Sequence, residues 1–154
     1  LGAVDLDGEF IYGSGDDDAL DDDLEVVNTP NAAYYWSEIM GWGIFDSALP
    51  VNVPTGSIGN LMAANIGTTF KPMDKLSVSA DVWYAKLNED IVFANGATED
   101  DLGTELDVVV TYQLLDGLKL DLVGAYLWAG DAISLDGDND EDPYEFGARL
   151  SLSF

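Results

Sequence analysis

The sequence contains no cysteine and no histidine. The first absence removes disulfides and thiolate metal sites. The second removes the commonest general base and metal ligand. Positive charge is scarce: five Lys and Arg stand against 30 Asp and Glu, for a net charge of −25. Phosphate backbones are held by clustered Lys and Arg, so no nucleic-acid partner is expected. Although 47 % of the residues are hydrophobic, no apolar run approaches the roughly 18 residues of a spanning helix. That excludes a helical membrane protein but not a β-barrel, whose strands dilute apolar residues with alternating polar ones. An initiator Met and a signal peptide are also missing, and Leu1 falls inside a strand-like pattern, as expected of a processed product or a fragment.

What the chain does have is alternation. In the last eleven residues, Tyr144, Phe146, Ala148, Leu150, Leu152 and Phe154 share one face, and Glu145, Gly147, Arg149, Ser151 and Ser153 the other. A period of two marks a β-strand between unlike environments. About ten tilted residues cross a bilayer as a strand. The same pattern runs through Leu1–Gly13, Leu61–Lys71, Leu76–Tyr84, Leu102–Gln113 and Leu118–Trp128, giving six predicted strands. Leu102, Leu106 and Val108 fall on the apolar side of their strand.

Short turns and long acidic loops alternate between these strands. KPMDK and Leu115-Asp116-Gly117 are turns, the latter carrying the Asp-Gly hairpin signal. Residues 14–56, 88–101 and 130–143 read as loops, the first holding GDDDALDDDLE and a short helix predicted from Asn31 to Gly41. With Phe154 in the periplasm, both turns fall there and all three loops fall outside, the arrangement of outer-membrane barrels. Phe70, Tyr112 and Phe154 then gather at one interface. Phe10, Tyr12, Tyr84, Tyr126, Trp128, Tyr144 and Phe146 gather at the other, as two aromatic girdles. The expected fold is all-β: an antiparallel meander forming a transmembrane β-barrel as one domain over residues 1–154. Six strands are too few to close, so either 24–56 adds irregular strands or strands precede Leu1.

The alternation also names the inward positions: Asp5, Asp7, Glu9, Asp81, Glu105, Asp107, Lys119, Asp121, Glu145 and Arg149. Carboxylate pairs such as Glu105 and Asp107 resemble catalytic dyads, but on one strand face they lie about 7 Å apart. In a wet lumen they read as solvated wall charges, and no enzyme is expected. Asp136, Asp138, Asp140 and Asp142 alternate like the opening of a calcium loop, with Glu141 where that loop needs Gly. They are candidates for weak Ca²⁺ binding, as is the Asp16–Asp23 run; no other cofactor is expected. The aromatic loop Tyr34, Tyr35, Trp36, Met40 and Trp42 has three readings: narrowing a pore, stacking on sugars, or packing under a rim, the plainest of them.

The runs YYWSEIMGWGIFD, TTFKPMDKLSVSADVWYAKL, LGTELDVVVTYQLLDGLKLDLVGAYLWAGD and DPYEFGARLSLSF resemble the C-terminal part of alginate-export-type porins of delta-proteobacteria and related Gram-negatives. DGEFIYGSGDDDA shares the likeness, which covers most of the chain. It implies a parent barrel of roughly 16 to 18 strands with a water-filled lumen, located in the bacterial outer membrane. Lipid, lipopolysaccharide and small hydrophilic solutes are the implied partners, with homo-oligomers left open. The inward carboxylates depart from an exporter of polyanions and favour cations. Two other functions stay open: a small structural or adhesive barrel with divalent-binding loops, and a secreted calcium-dependent β-sandwich.

Overall fold

In the computed structural model the described residues are 3–17, 22, 25–27, 35–41, 43–45, 59–139 and 141–154. Most of the 14–56 segment, with Tyr34, Trp42, Asp18, Asp21 and Asp23, lies outside them, as does Asp140. The strands are β1 (Ala3–Gly13), β2 (Leu61–Met73), β3 (Leu76–Val92), β4 (Thr98–Leu115), β5 (Leu118–Ala129) and β6 (Tyr144–Leu152). They form one antiparallel sheet in the order β1-β2-β3-β4-β5-β6, each strand bonded to its neighbours in sequence. The sheet does not close on itself: β1 and β6 are its edges. One 3₁₀ turn, Asp131–Ile133, is the sole helical element among the described residues.

Both short turns lie where alternation places them. Asp74-Lys75 joins β2 to β3, and Asp116-Gly117 joins β4 to β5. Gly117 takes φ 76°, the left-handed region that side chains resist. The segment 88–101, expected as a loop, is instead mostly strand. Ile91 pairs with Glu99 and Val92 with Thr98, leaving only residues 93–97 as the connection. Its acids are exposed or half-buried there, while Ile91 packs against the core and Phe93 is buried. Lys86 also pairs with Asp100 there.

The pairing register shifts at four places, near Phe70, at Ala85–Lys86, between Lys86 and Ile91, and near Gln113, and the second of them changes the core. Ala85 pairs with Gly103 but Lys86 pairs with Asp101, so Leu102 is an extra residue. Gly103 adopts φ 115° at this bulge. Leu102, expected on the convex apolar side, is thereby turned into the core and is fully buried.

The core lies on the concave face, toward the long-loop end. It joins Ile11, Leu61, Ala63, Trp83, Ala85, Leu87, Leu102 and Leu127 to Trp36, Ile39 and Met40 from the segment 35–45. Ala132 and Ile133 of the 3₁₀ turn seal its edge. On the convex face several large apolar side chains are left open: Leu6 is 80 % exposed, Phe146 79 % and Ile66 70 %.

At Gly117 a Cβ would strike the Ser153 carbonyl, whereas at Gly96 (φ 87°) it would meet nothing. Alanine at Gly96 is expected to cost about 1 kcal/mol of backbone strain, and at Gly117 about 2 kcal/mol or more. Urea unfolding midpoints of the two variants test the difference.

Candidate functional site

The register lines up side chains across the concave face. One row of paired residues runs Asp7, Gly67, Asp81, Asp107, Ala125, Glu145 from β1 to β6. Four carboxylates stand there with the two smallest residues, and Asp81 and Asp107 are direct neighbours. A side chain at Gly67 would collide with Asp81 and come within 2.6 Å of Asp7 Oδ2, so its absence lets those carboxylates lean together. Asn65 Nδ2 donates to Asp81 Oδ1 at 3.1 Å. The neighbouring row carries Glu9, Asn65, Trp83, Glu105 and Leu127.

Residues 35–41 and 43–45 lie over these rows. The predicted helix is not formed in its described part, where residues 38–41 make a bend and turn. The reason is competition for the backbone donors. Ile39 N–H donates to Glu105 Oε1 at 2.6 Å and Met40 N–H to Glu105 Oε2 at 2.8 Å. Glu38 N–H donates to Asp107 Oδ2 at 3.3 Å. Three successive amides thus converge on two β4 carboxylates, an anion-binding concavity built from main chain. Gly41 N–H is taken by Ser37 Oγ, at 2.8 Å, and Ile44 N–H by Glu38 Oε2, at 2.6 Å.

Packing fixes the same segment from two sides. The Trp36 ring meets Trp83 edge to face, centroids 5.3 Å apart, a favoured aromatic geometry. Phe45 lies against Gly147 of β6, where any side chain would displace it. Arg149 Nη1 donates to the Ile44 carbonyl at 3.4 Å. Of the aromatic loop residues, Trp36 and Met40 are buried on the concave face and Tyr35 is exposed.

The inward positions therefore divide by environment. Asp5, Asp7 and Glu9 on edge strand β1 are exposed. Asp81, Lys119, Glu145 and Arg149 are half-buried. Glu105, Asp107 and Asp121 are 0 %, 4 % and 1 % exposed, so they are not the solvated wall charges expected of them. Hydrogen bonding explains how they stay dry. Asp121 accepts from Thr111 Oγ1 at 2.8 Å and sits between Arg149, at 3.2 Å, and Lys119, at 3.3 Å. In the loop, burial raises the Glu38 carboxyl above its ordinary range, against the Ile44 hydrogen bond and with help from the Glu145 and Glu105 charges. A raised carboxyl favours the docked loop at low pH, and that contribution fades as pH climbs through the raised value.

Between loop and sheet lies a cavity of about 560 Å³, bordered by Asp7, Asp81, Asp107, Trp36, Trp83 and Arg149 among others. Trp83, Asn65 and Glu38 were not singled out from sequence. Trp83 gave a signal all the same: a large ring on a face otherwise made of Ser and Asp announces something packed upon it.

The acidic loops differ in arrangement. Asp142 Oδ2 accepts from the Tyr126 hydroxyl and its Oδ1 from the Ala129 N–H, both at 3.0 Å. Asp136 and Asp138 are exposed. Among the described residues the carboxylates that converge are those of Asp16, Asp17 and Glu25, within 4.8 Å of one another.

Comparison of the chain with protein-family models, with curated proteins and with solved structures returns no match.

Replacing Glu105 by Ala strands two buried amides, at about 2 kcal/mol for each lost charge-assisted bond. Hydrogen exchange of the Ile39 and Met40 amides is expected to rise by roughly 30-fold or more, with the strand amides of β5 unchanged.

Proposed function

We propose that this chain forms part of the wall of an outer-membrane β-barrel porin, passing small hydrophilic solutes by diffusion with a preference for cations. One observation carries the reading: the sheet is inside out. Among the described residues large apolar side chains stand exposed on the convex face, while Glu105, Asp107 and Asp121 are buried on the covered face beside its apolar cluster. A sheet in water buries the opposite side, and only hydrocarbon rewards this orientation.

The dimensions agree. Apolar rows run from the Leu118–Leu152 pair to the row of Phe10, Tyr84 and Trp128. From Leu118 to Trp128 that is ten steps along β5, roughly 33 Å of strand, and roughly 25 Å of membrane at the 35–45° tilt of barrel strands. Aromatics stand at both margins, with Tyr112 beside the short turns and Tyr126, Trp128 and Tyr144 beside the long connections. The two edges of the sheet would leave bare amides and carbonyls in lipid, which is prohibitive. Further strands complete the cylinder in this reading, in keeping with the resemblance to porins of roughly 16 to 18 strands.

Function follows from the concave face. Carboxylates across the wall draw cations and repel anions, so transport of a polyanion is not the role proposed. The segment 35–45 narrows the lumen, held there by Glu105. A second reading, a surface barrel with divalent-binding loops, draws on the convergence of Asp16, Asp17 and Glu25.

Planar-bilayer conductance of the full-length protein separates the two. Stepwise currents are expected, with a reversal potential of cation-selective sign in a KCl gradient; silence or anion preference refutes the porin. Val108 faces outward midway along β4, so Val108→Lys is expected to lower insertion by about 2–4 kcal/mol. Ser79→Lys, on the concave face, is expected to leave insertion nearly unchanged, as measured by folding yield into lipid vesicles.

A further inference from the structure

The segment that narrows the lumen brings a carboxyl of its own onto a face already made of carboxyls. Glu38 is half-buried at the border of the cavity between segment and sheet. Its Oε2 accepts from the Ile44 N–H at 2.6 Å, and a side chain at Gly43 would strike that carboxylate, so the chain folds tightly around it. Glu105 and Asp107 face it from β4, and Glu145 and Arg149 from β6. Asp7, Glu9 and Asp81 border the same cavity from β1 and β3. Glu105 and Asp107 are themselves joined side chain to side chain, a contact that two carboxyls make only with a proton between them. Among the described residues Arg149 is the cation at this cavity, and its guanidinium is shared between Asp121 and the Ile44 carbonyl.

We infer that residues 35–41 and 43–45 are a proton-operated latch, docked while Glu38 and the acids beneath it hold protons and released as those protons leave, so that the lumen widens as pH rises. This deepens the porin reading and rests on it for what the latch controls. The charges around Glu38 set the direction. Burial is the first cause that raises its carboxyl; the Glu145 and Glu105 charges add to it, and the opposing charge of Arg149 is weaker than either. Once undocked, Glu38 returns to water and to its ordinary range. Between the ordinary and the raised value, the docked form keeps a proton that the free form has lost. Docking therefore weakens by about tenfold per pH unit for each such proton. Above the raised value Glu38 is ionised in both forms, and no further loss comes from it. The Trp36–Trp83 contact and Met40 in the core do not titrate, so they set how tightly the segment docks, not whether pH moves it.

The test needs no current: hydrogen-exchange protection factors of the Ile39 and Met40 amides, followed over a pH series on the full-length protein in detergent micelles. Protection is expected to fall as pH rises, by about tenfold per unit across the Glu38 titration, while the β5 amides hold steady. Glu38→Gln keeps an oxygen for the Ile44 N–H and is expected to flatten the response. Asp136→Asn, exposed and in another connection, should leave it intact. In planar bilayers the same rise in pH should increase open-channel conductance in the unmodified protein and not in Glu38→Gln. Protection that is flat or rises with pH, open-channel conductance that does not rise with it, or a response that survives Glu38→Gln overturns the latch. Falling protection with no current at all keeps the proton-linked docking and removes the porin. Cation-selective conductance with protection independent of pH does the reverse.

Discussion

A carboxylate with no water around it must be met by donors, and the meeting of Glu105 with the Ile39 and Met40 amides determines much else in this molecule. Glu105 is fully buried on the concave face, and among the described residues no cation pairs with it. Main-chain donors from a crossing segment are what make that tolerable. The segment is thereby prevented from completing a helix, Trp36 is delivered onto Trp83, and Met40 enters the core. The loop and the wall are thus one object, joined by polar contacts at the centre and apolar ones around them.

The apolar cluster and the acidic row occupy different heights of the same face. Toward the long connections, Ile11, Leu61, Leu87 and Leu127 make a conventional packed core. Toward the short turns, polar residues take over, ending in the Asp121 group between Lys119 and Arg149. Beyond the apolar band most of the described Asp and Glu lie at the loop end, while the short turns hold Asp74 and Asp116 with Lys71, Lys75 and Lys119 close by. Negative charge therefore surrounds the approach to the cavity, and such a field concentrates cations before any contact is made.

Alternation made the sheet legible: strand number, the two turns, and which side chains share a face all follow from a period of two. It failed where geometry broke that period. The Leu102–Gly103 bulge moves one leucine from the outer face to the core, and nothing but a glycine in mid-strand hints at it. The hairpin 88–101 was obscured by its acids, because composition reports solvent exposure rather than backbone conformation. The site was legible in kind but not in state. Glu105, Asp107 and Asp121 were recognisable as inward-facing, yet their burial depends on a segment far away in sequence. No local pattern encodes that approach.

The pairing scheme also bears on how the chain acquires its shape. From β2 to β6 every strand bonds to the one before it, across turns of two residues, a five-residue tip or the 130–143 connection. These steps are local and inexpensive in chain entropy. The β1–β2 pairing instead closes residues 14–60, roughly 3 kcal/mol dearer than closing a two-residue turn. Zippering thus runs from the carboxyl end, and among these six strands β1 is the natural last arrival.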